Sequence, residues 1–148
     1  MSKRRNEGDG GSGNPITVST RGQFERYLDG DLPVIVDFWA TWCVPCQAMA
    51  PIFKKVGKEF EGKAHFIKID TETLSSVSTE LGIRSIPTLL VFHGDEVIDS
   101  NIGLTSEAAL RKMTQRAIDK VNGVTLGSKV KRLFGMKGKG GDEAQAAE

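Results

Sequence analysis

Cys43 and Cys46 are the only cysteines in this chain of 148 residues, and the stretch Trp42-Cys43-Val44-Pro45-Cys46 holds them two residues apart. The chemistry that such a pair suits is thiol-disulfide exchange, in which an ionised thiol attacks a disulfide and a neighbouring thiol closes a new one. Two blander readings compete. The cysteines could be small, buried and inert, or they could be half of a zinc site. Structural zinc takes four ligands, and beyond this pair the chain offers only His65 and His93, neither at ligand spacing from it. A Cys-x-x-Cys pair at a strand-to-helix junction therefore reads first as redox-active.

Three other residues stand out against their surroundings. Asp37 is a lone carboxylate in the apolar run Val34-Ile35-Val36-Asp37-Phe38-Trp39-Ala40. Burial there disfavours the charged form and should raise its pKa, whether the group is a satisfied structural polar residue or a working acid. Lys68 interrupts Phe66-Ile67-Lys68-Ile69, where the simple reading is a lysine that lays its stem on apolar surface and keeps its charge in water. Pro87 sits between Ile86 and Thr88 at the entrance to an apolar strand, and on general grounds its peptide bond would be trans.

The elements that must position these residues can be read from periodicity. Ile16 to Val18 predicts a short strand, and Thr20 caps a helix through Phe24, Tyr27 and Leu28. Val34 to Ala40 is apolar without alternation, as expected of a central strand covered on both faces. Cys46, Met49, Ala50, Phe53, Val56 and Phe60 recur at helical spacing, with a kink expected at Pro51. Cys43 thus falls where a strand hands over to a long helix, and free backbone N–H groups and the helix dipole favour an anion there. Pro45 suits the first turn, where a missing N–H costs little. His65 to Asp70 predicts another strand, and Leu74, Val77 and Leu81 a short helix closed by Gly82. Thr88 to Phe92 and Glu96 to Ile102 form a hairpin through His93-Gly94-Asp95. A last helix opens at Thr105 or Ser106 and buries Leu110, Met113, Ala117, Ile118 and Val121. The order implies an α/β domain with a mixed sheet.

Composition narrows the setting. With 39% hydrophobic and 26% charged residues the chain has the balance of one soluble domain, and a net charge of +1 points to no nucleic acid or other polyanion as partner. No stretch approaches the roughly 20 apolar residues of a membrane span. Residues 1–14 are charged and Gly-rich, with acids at Glu7 and Asp9, and resemble neither a secretory signal nor a transit peptide. A cytoplasmic location is expected, where a cysteine pair is more often catalytic or metal-binding than a structural staple. Residues 1–14 and 123–148 are expected to be disordered tails around a folded domain at 15–122. The C-terminal tail is Gly-rich and basic, with Lys129, Lys131, Arg132, Lys137 and Lys139. Its segment Lys129-Val130-Lys131-Arg132-Leu133-Phe134 could touch a membrane or an acidic partner, but a solvated basic tail is the simpler reading.

Across Pro15 to Asn122 the chain resembles the thioredoxin family. The matching pieces are Val36-Asp37-Phe38-Trp39-Ala40, Trp42-Cys43-Val44-Pro45-Cys46, Pro51, Lys68, Ile86-Pro87-Thr88 and Gly103, all in register. The resemblance implies a thioredoxin fold, a central mixed β-sheet with helices on both faces. It implies that Cys43 is the nucleophile, Cys46 the resolving thiol, and Asp37 a proton acceptor that acts on Cys46. Lys68 would lie near Asp37 and moderate the effect of its burial. Pro87 would be cis and face the cysteines, and Trp42, Ile86 and the segment Ile102-Gly103-Leu104 would form an apolar rim. Substrate would then contact Trp42, Val44, Pro45, Ile86, Pro87 and Gly103. No bound cofactor is implied; electrons would come from NADPH through a thioredoxin reductase, and the other partners would be proteins that carry disulfides. Val44 replaces the family's usual Gly, and Gly94-Asp95 replaces the usual Asn-Gly of the hairpin turn. The gap between the cysteines lacks the His typical of disulfide isomerases and oxidants, which favours a reductant over an oxidase or isomerase. A non-catalytic binding module is the reading from another class, and a scaffold would not need Asp37, Lys68 and Pro87.

Overall fold

The computed structural model describes residues 14–123. Its elements follow the order β1 (Ile16–Thr17), α1 (Arg21–Leu28), β2 (Val34–Trp39), α2 (Val44–Glu59), β3 (His65–Asp70), α3 (Ser75–Glu80), β4 (Thr88–His93), β5 (Glu96–Ile102) and α4 (Glu107–Val121). The strands form one mixed sheet in the order β1-β3-β2-β4-β5. β1 and β2 run parallel to β3, whereas β2 and β4, and β4 and β5, are antiparallel. β2 lies at the centre, as expected of a largely apolar run without alternation. Contacts divide the chain into two units, residues 1–118 and 119–148. The first is a single α/β domain; of the second, the described part is the end of α4, where the Gly123 N–H donates to the Lys120 carbonyl at 3.1 Å. The two expected tails fall almost wholly outside the described residues.

Side chains alternate across each strand, so the two faces of the sheet carry separate cores. On one face Ile35, Phe66, Leu89 and Val91 pack with Met49, Phe53 and Val56 of α2 and with Leu110, Met113, Ala117 and Ile118 of α4. On the other, Val34, Val36, Phe38, Ile67, Ile69, Leu90 and Phe92 pack with Phe24 of α1 and Val77 of α3. α2 lies so close to the sheet that a Cβ at Gly57 would stand 3.2 Å from the Phe66 ring.

The ends of the elements differ from the sequence reading in small ways. β2 stops at Trp39, one residue short, because Ala40 instead accepts a hydrogen bond from the Cys43 N–H at 3.3 Å and so closes the turn before α2. α2 runs through Pro51, as its helical spacing from Cys46 to Phe60 implies, with the proline on the exposed side. The hairpin turn is confined to Gly94 and Asp95, with Gly94 at φ 62°. Register shifts between Val91, opposite Asp99, and Phe92, opposite Val97, so Ile98 is the extra residue of a bulge. Ser106 rather than Thr105 caps α4, its hydroxyl accepting from the Ala109 N–H at 3.0 Å.

Candidate redox site

The end of β2 delivers the chain directly into the first turn of α2, and the cysteines lie on that transition. Cys43 has extended backbone, φ −91° and ψ 110°, and stands at the N-cap of α2. Its Sγ accepts from the Cys46 N–H at 3.2 Å, and its carbonyl accepts from the Gln47 N–H at 3.2 Å. Sulfur here takes the place of the oxygen that usually caps a helix. Val44 and Pro45 follow as the first helical residues, where the absent N–H of Pro45 leaves no bond unmade. The Gln47 side-chain amide donates to the Thr41 carbonyl at 3.2 Å and braces the loop from inside the helix.

Cys43 and Cys46 form a disulfide, with Cα atoms 5.2 Å apart. Their exposures, 4% and 3%, do not tell them apart. The hydrogen bond does, because it is the Cys43 sulfur that a backbone N–H of the first turn addresses, and the helix dipole adds to the same preference for an anion.

Asp37 lies three residues before Ala40, on the face of β2 that carries Ile35 and is packed by α2 and α4. It is fully buried, and neither carboxylate oxygen has a protein hydrogen-bond partner. Burial pushes its carboxyl up to about 7, and the nearby Lys68 charge opposes that rise. Lys68 stands opposite Asp37 in the parallel register of β2 and β3. Instead of pairing with the acid, its ammonium lies 4.7 Å from the centroid of the Trp39 ring. The Trp39 indole N–H is itself buried without a partner. Trp39 therefore does more than the core packing that its place in an apolar run suggests.

Two other segments close around the disulfide. The Ile86–Pro87 bond is cis, and Ile86 packs with Trp39 against the cluster of Ala40, Cys43 and Cys46. The Pro87 carbonyl accepts from the Gly103 N–H at 2.8 Å, which ties the end of β5 to this loop. Gly103 has φ 96°, a conformation that a side chain would strain even though the space around it is open. Asn101 holds the same turn, its Nδ2 donating to the Gly103 carbonyl at 3.0 Å. Among the described residues the large exposed apolar side chains are Trp42, Val44, Ile102, Leu104 and Val97, and all but Val97 belong to these three segments. A patch this concentrated suits contact with another chain.

The disulfide thus gathers Trp42, Val44, Pro45, Ile86, Pro87 and Gly103 from three segments, while Asp37 and Lys68 lie on the sheet face that α2 covers. Sequence reasoning missed Glu72, whose carboxylate accepts from the Trp42 indole N–H at 2.6 Å. An exposed acid in a turn, 30 residues from its partner, gives no sequence signal. Asn101 gives no signal either, although its partner Gly103 is only two residues along the chain. Among the described residues no group of three or more His, Cys, Asp and Glu side chains is placed to hold a metal ion.

A family profile described as Thioredoxin matches residues 15–116. Thioredoxin 1 of Nostoc is 39% identical over 101 residues, which are 68% of this chain and 92% of that protein. The chloroplastic thioredoxin M4 of Arabidopsis thaliana is 42% identical over 62% of this chain and 47% of its own. Among solved structures, the thioredoxin of Malassezia sympodialis superposes with a TM-score of 0.67 at 32% identity, covering 71% of this chain and 91% of its own. Matching profile, matching relatives and an intact Cys43–Cys46 disulfide agree, so the chain belongs to the thioredoxin family and is a thiol-disulfide oxidoreductase.

Proposed function

We propose that the chain reduces disulfides in other proteins, with Cys43 as nucleophile, Cys46 as resolving thiol and Asp37 as the proton acceptor for Cys46. The observation that carries the reading is the Cys46 N–H directed at the Cys43 sulfur at the start of α2, an arrangement that favours a thiolate on Cys43.

In the reduced enzyme the Cys43 thiolate attacks one sulfur of a substrate disulfide. That bond breaks, the departing sulfur leaves as a thiolate that takes up a proton, and a mixed disulfide forms on Cys43. Cys46 then gives its proton toward Asp37 and attacks the Cys43 sulfur. The second substrate sulfur leaves with the electron pair, the Cys43–Cys46 disulfide forms, and two electrons have passed to the substrate. A carboxyl held near neutrality by burial is suited to receive that proton and later release it. An extended substrate segment would pair with the Ile86 backbone beside Pro87 and Gly103 and rest its side chains on Trp42, Val44 and Pro45.

The oxidised form needs two electrons to act again, which we assign to a thioredoxin reductase that draws on NADPH. That requirement also assigns the protein to a reducing compartment, the cytoplasm. We further assign the folded domain to residues 15–122.

Insulin-disulfide reduction tests the reading directly. Cys43→Ser should abolish turnover, and Cys46→Ser should trap the mixed disulfide; unchanged turnover in Cys43→Ser would refute the mechanism. Equilibration of the pair against glutathione should return a potential near about −270 mV for a reductant, whereas a value near about −120 mV would make it an oxidant.

A further inference from the structure

We propose that Trp39 is a positioning residue for the buried acid: by holding the Lys68 ammonium over its ring, it keeps that charge from pairing with Asp37, which stands opposite Lys68 in the sheet.

Three observations converge. Asp37 and Lys68 are register partners on adjacent parallel strands and project to the same face, so a lysine is within reach of a carboxylate that has no other partner. A charge-assisted hydrogen bond between them would be strong in a site so poorly hydrated. Yet both Asp37 oxygens are unpartnered and the ammonium lies over the indole of Trp39, the next residue of β2 on that face. Indole is the side chain that best competes for an ammonium ion, and it competes hardest where water is excluded. The backbone that carries the ring is also anchored, since the Trp39 carbonyl accepts from both the Thr71 N–H at 2.9 Å and the Thr71 hydroxyl at 3.2 Å.

Other charges do not account for the arrangement. Asp70 shares the Lys68 face of β3, and its Oδ1 accepts from the Glu72 N–H at 2.8 Å. Met49 and Phe53 of α2, Leu89 of β4, and Leu110 and Met113 of α4 complete that side of the sheet, all of them apolar. In the reduced protein the thiols of Cys43 and Cys46 are the remaining titratable neighbours. Held apart from Lys68, Asp37 keeps the carboxyl that burial has raised, instead of being fixed as a permanent carboxylate. This functional consequence rests on the proton-transfer role proposed above; the positioning itself does not.

The test uses the full-length oxidised protein, in which the cysteines do not titrate, and follows the Asp37 carboxyl carbon by NMR as pH is varied. Trp39→Leu should free Lys68 to approach the acid and lower the Asp37 midpoint by about one pH unit, and Trp39→Phe, which keeps a weaker ring in place, by less. In a Lys68→Met background neither Trp39 substitution should move the midpoint further, because the charge being positioned is gone. An equal fall with and without Lys68 would mean that Trp39 acts by excluding water, and no fall at all would mean that it does nothing to the acid; either result overturns the proposal. Trp39→Phe preserves the experiment if Trp39→Leu does not fold. Should the midpoint move as expected while the pH profile of insulin reduction stays put, the positioning stands and the proton-transfer role of Asp37 fails.

Discussion

On the side of the sheet packed by α1 and α3, Val34, Val36 and Phe38 of β2 and Ile67 and Ile69 of β3 meet Phe24 and Val77 in a core with no charge in it. On the α2 and α4 side the same two strands begin alike, with Ile35 and Phe66, and then present Asp37, Lys68 and Trp39. Alternate residues of one strand thus follow opposite rules. The first face minimises free energy in the ordinary way, by removing apolar surface from water. The second keeps an unpartnered buried carboxylate just before the cysteine loop, at a cost that a purely structural core would avoid. The difference sets the Asp37 face of β2 apart from the other.

If that contrast holds, truncation on the apolar face should have the largest effect. Phe38→Ala leaves a cavity at a site with no exposure and should cost about 3–5 kcal/mol in guanidinium unfolding, at any pH. Stability insensitive to this change would erase the contrast.

Asp37 should behave in the opposite sense. Its folded pKa, about 7, lies above the ordinary carboxylate value, so between the two the native state binds the extra proton and stability falls as pH rises. The loss begins near about pH 4 and is complete just above the folded value. Comparison of Asp37→Asn with the natural protein removes any cost that does not depend on pH. The difference in unfolding free energy should shift in favour of Asp37→Asn by up to about 4 kcal/mol between about pH 4 and about pH 8. Parallel curves would show that the carboxyl titrates normally.

The caps sharpen the comparison at smaller scale. Thr20 caps α1 through its hydroxyl, which accepts from the Gln23 N–H at 3.1 Å, while Cys43 caps α2 through sulfur. Thr20→Ala should cost about 1 kcal/mol equally in oxidised and reduced protein, and should leave insulin reduction intact. A redox-dependent cost at Thr20 would mean that the two faces are coupled.

The smallest effect belongs to His65, which lies on the α1 face with its ring 5.0 Å from that of Tyr27. Burial holds its pKa below the usual value, so the unfolded chain binds the proton more readily and stability is lost as pH falls through the ordinary histidine range. His65→Phe should remove that loss, which runs against the Asp37 trend. Unfolding midpoints recorded from acid to neutral pH would separate the two.

Much of the fold and part of the site are legible in the chain itself, because they depend on short-range pattern. The non-alternating apolar run from Val34 identifies a central strand, and Cys46, Met49, Phe53 and Val56 mark one face of a helix, since helix and strand repeat with different periods. Asp37 betrays itself as a charge in an apolar run, and Cys43 as a thiol at a helix start. The contacts that turn these residues into a site join positions far apart in sequence: Trp42 with Glu72, Trp39 with Lys68, Pro87 with Gly103. No local pattern encodes them. The register of β2 on β3 brings Asp37 beside Lys68, and a slip of one residue would turn Lys68 to the other face. The sequence by itself therefore determined which groups could do chemistry, and only the tertiary structure decided which stand together, because side-chain direction and strand register are set by packing of the whole sheet.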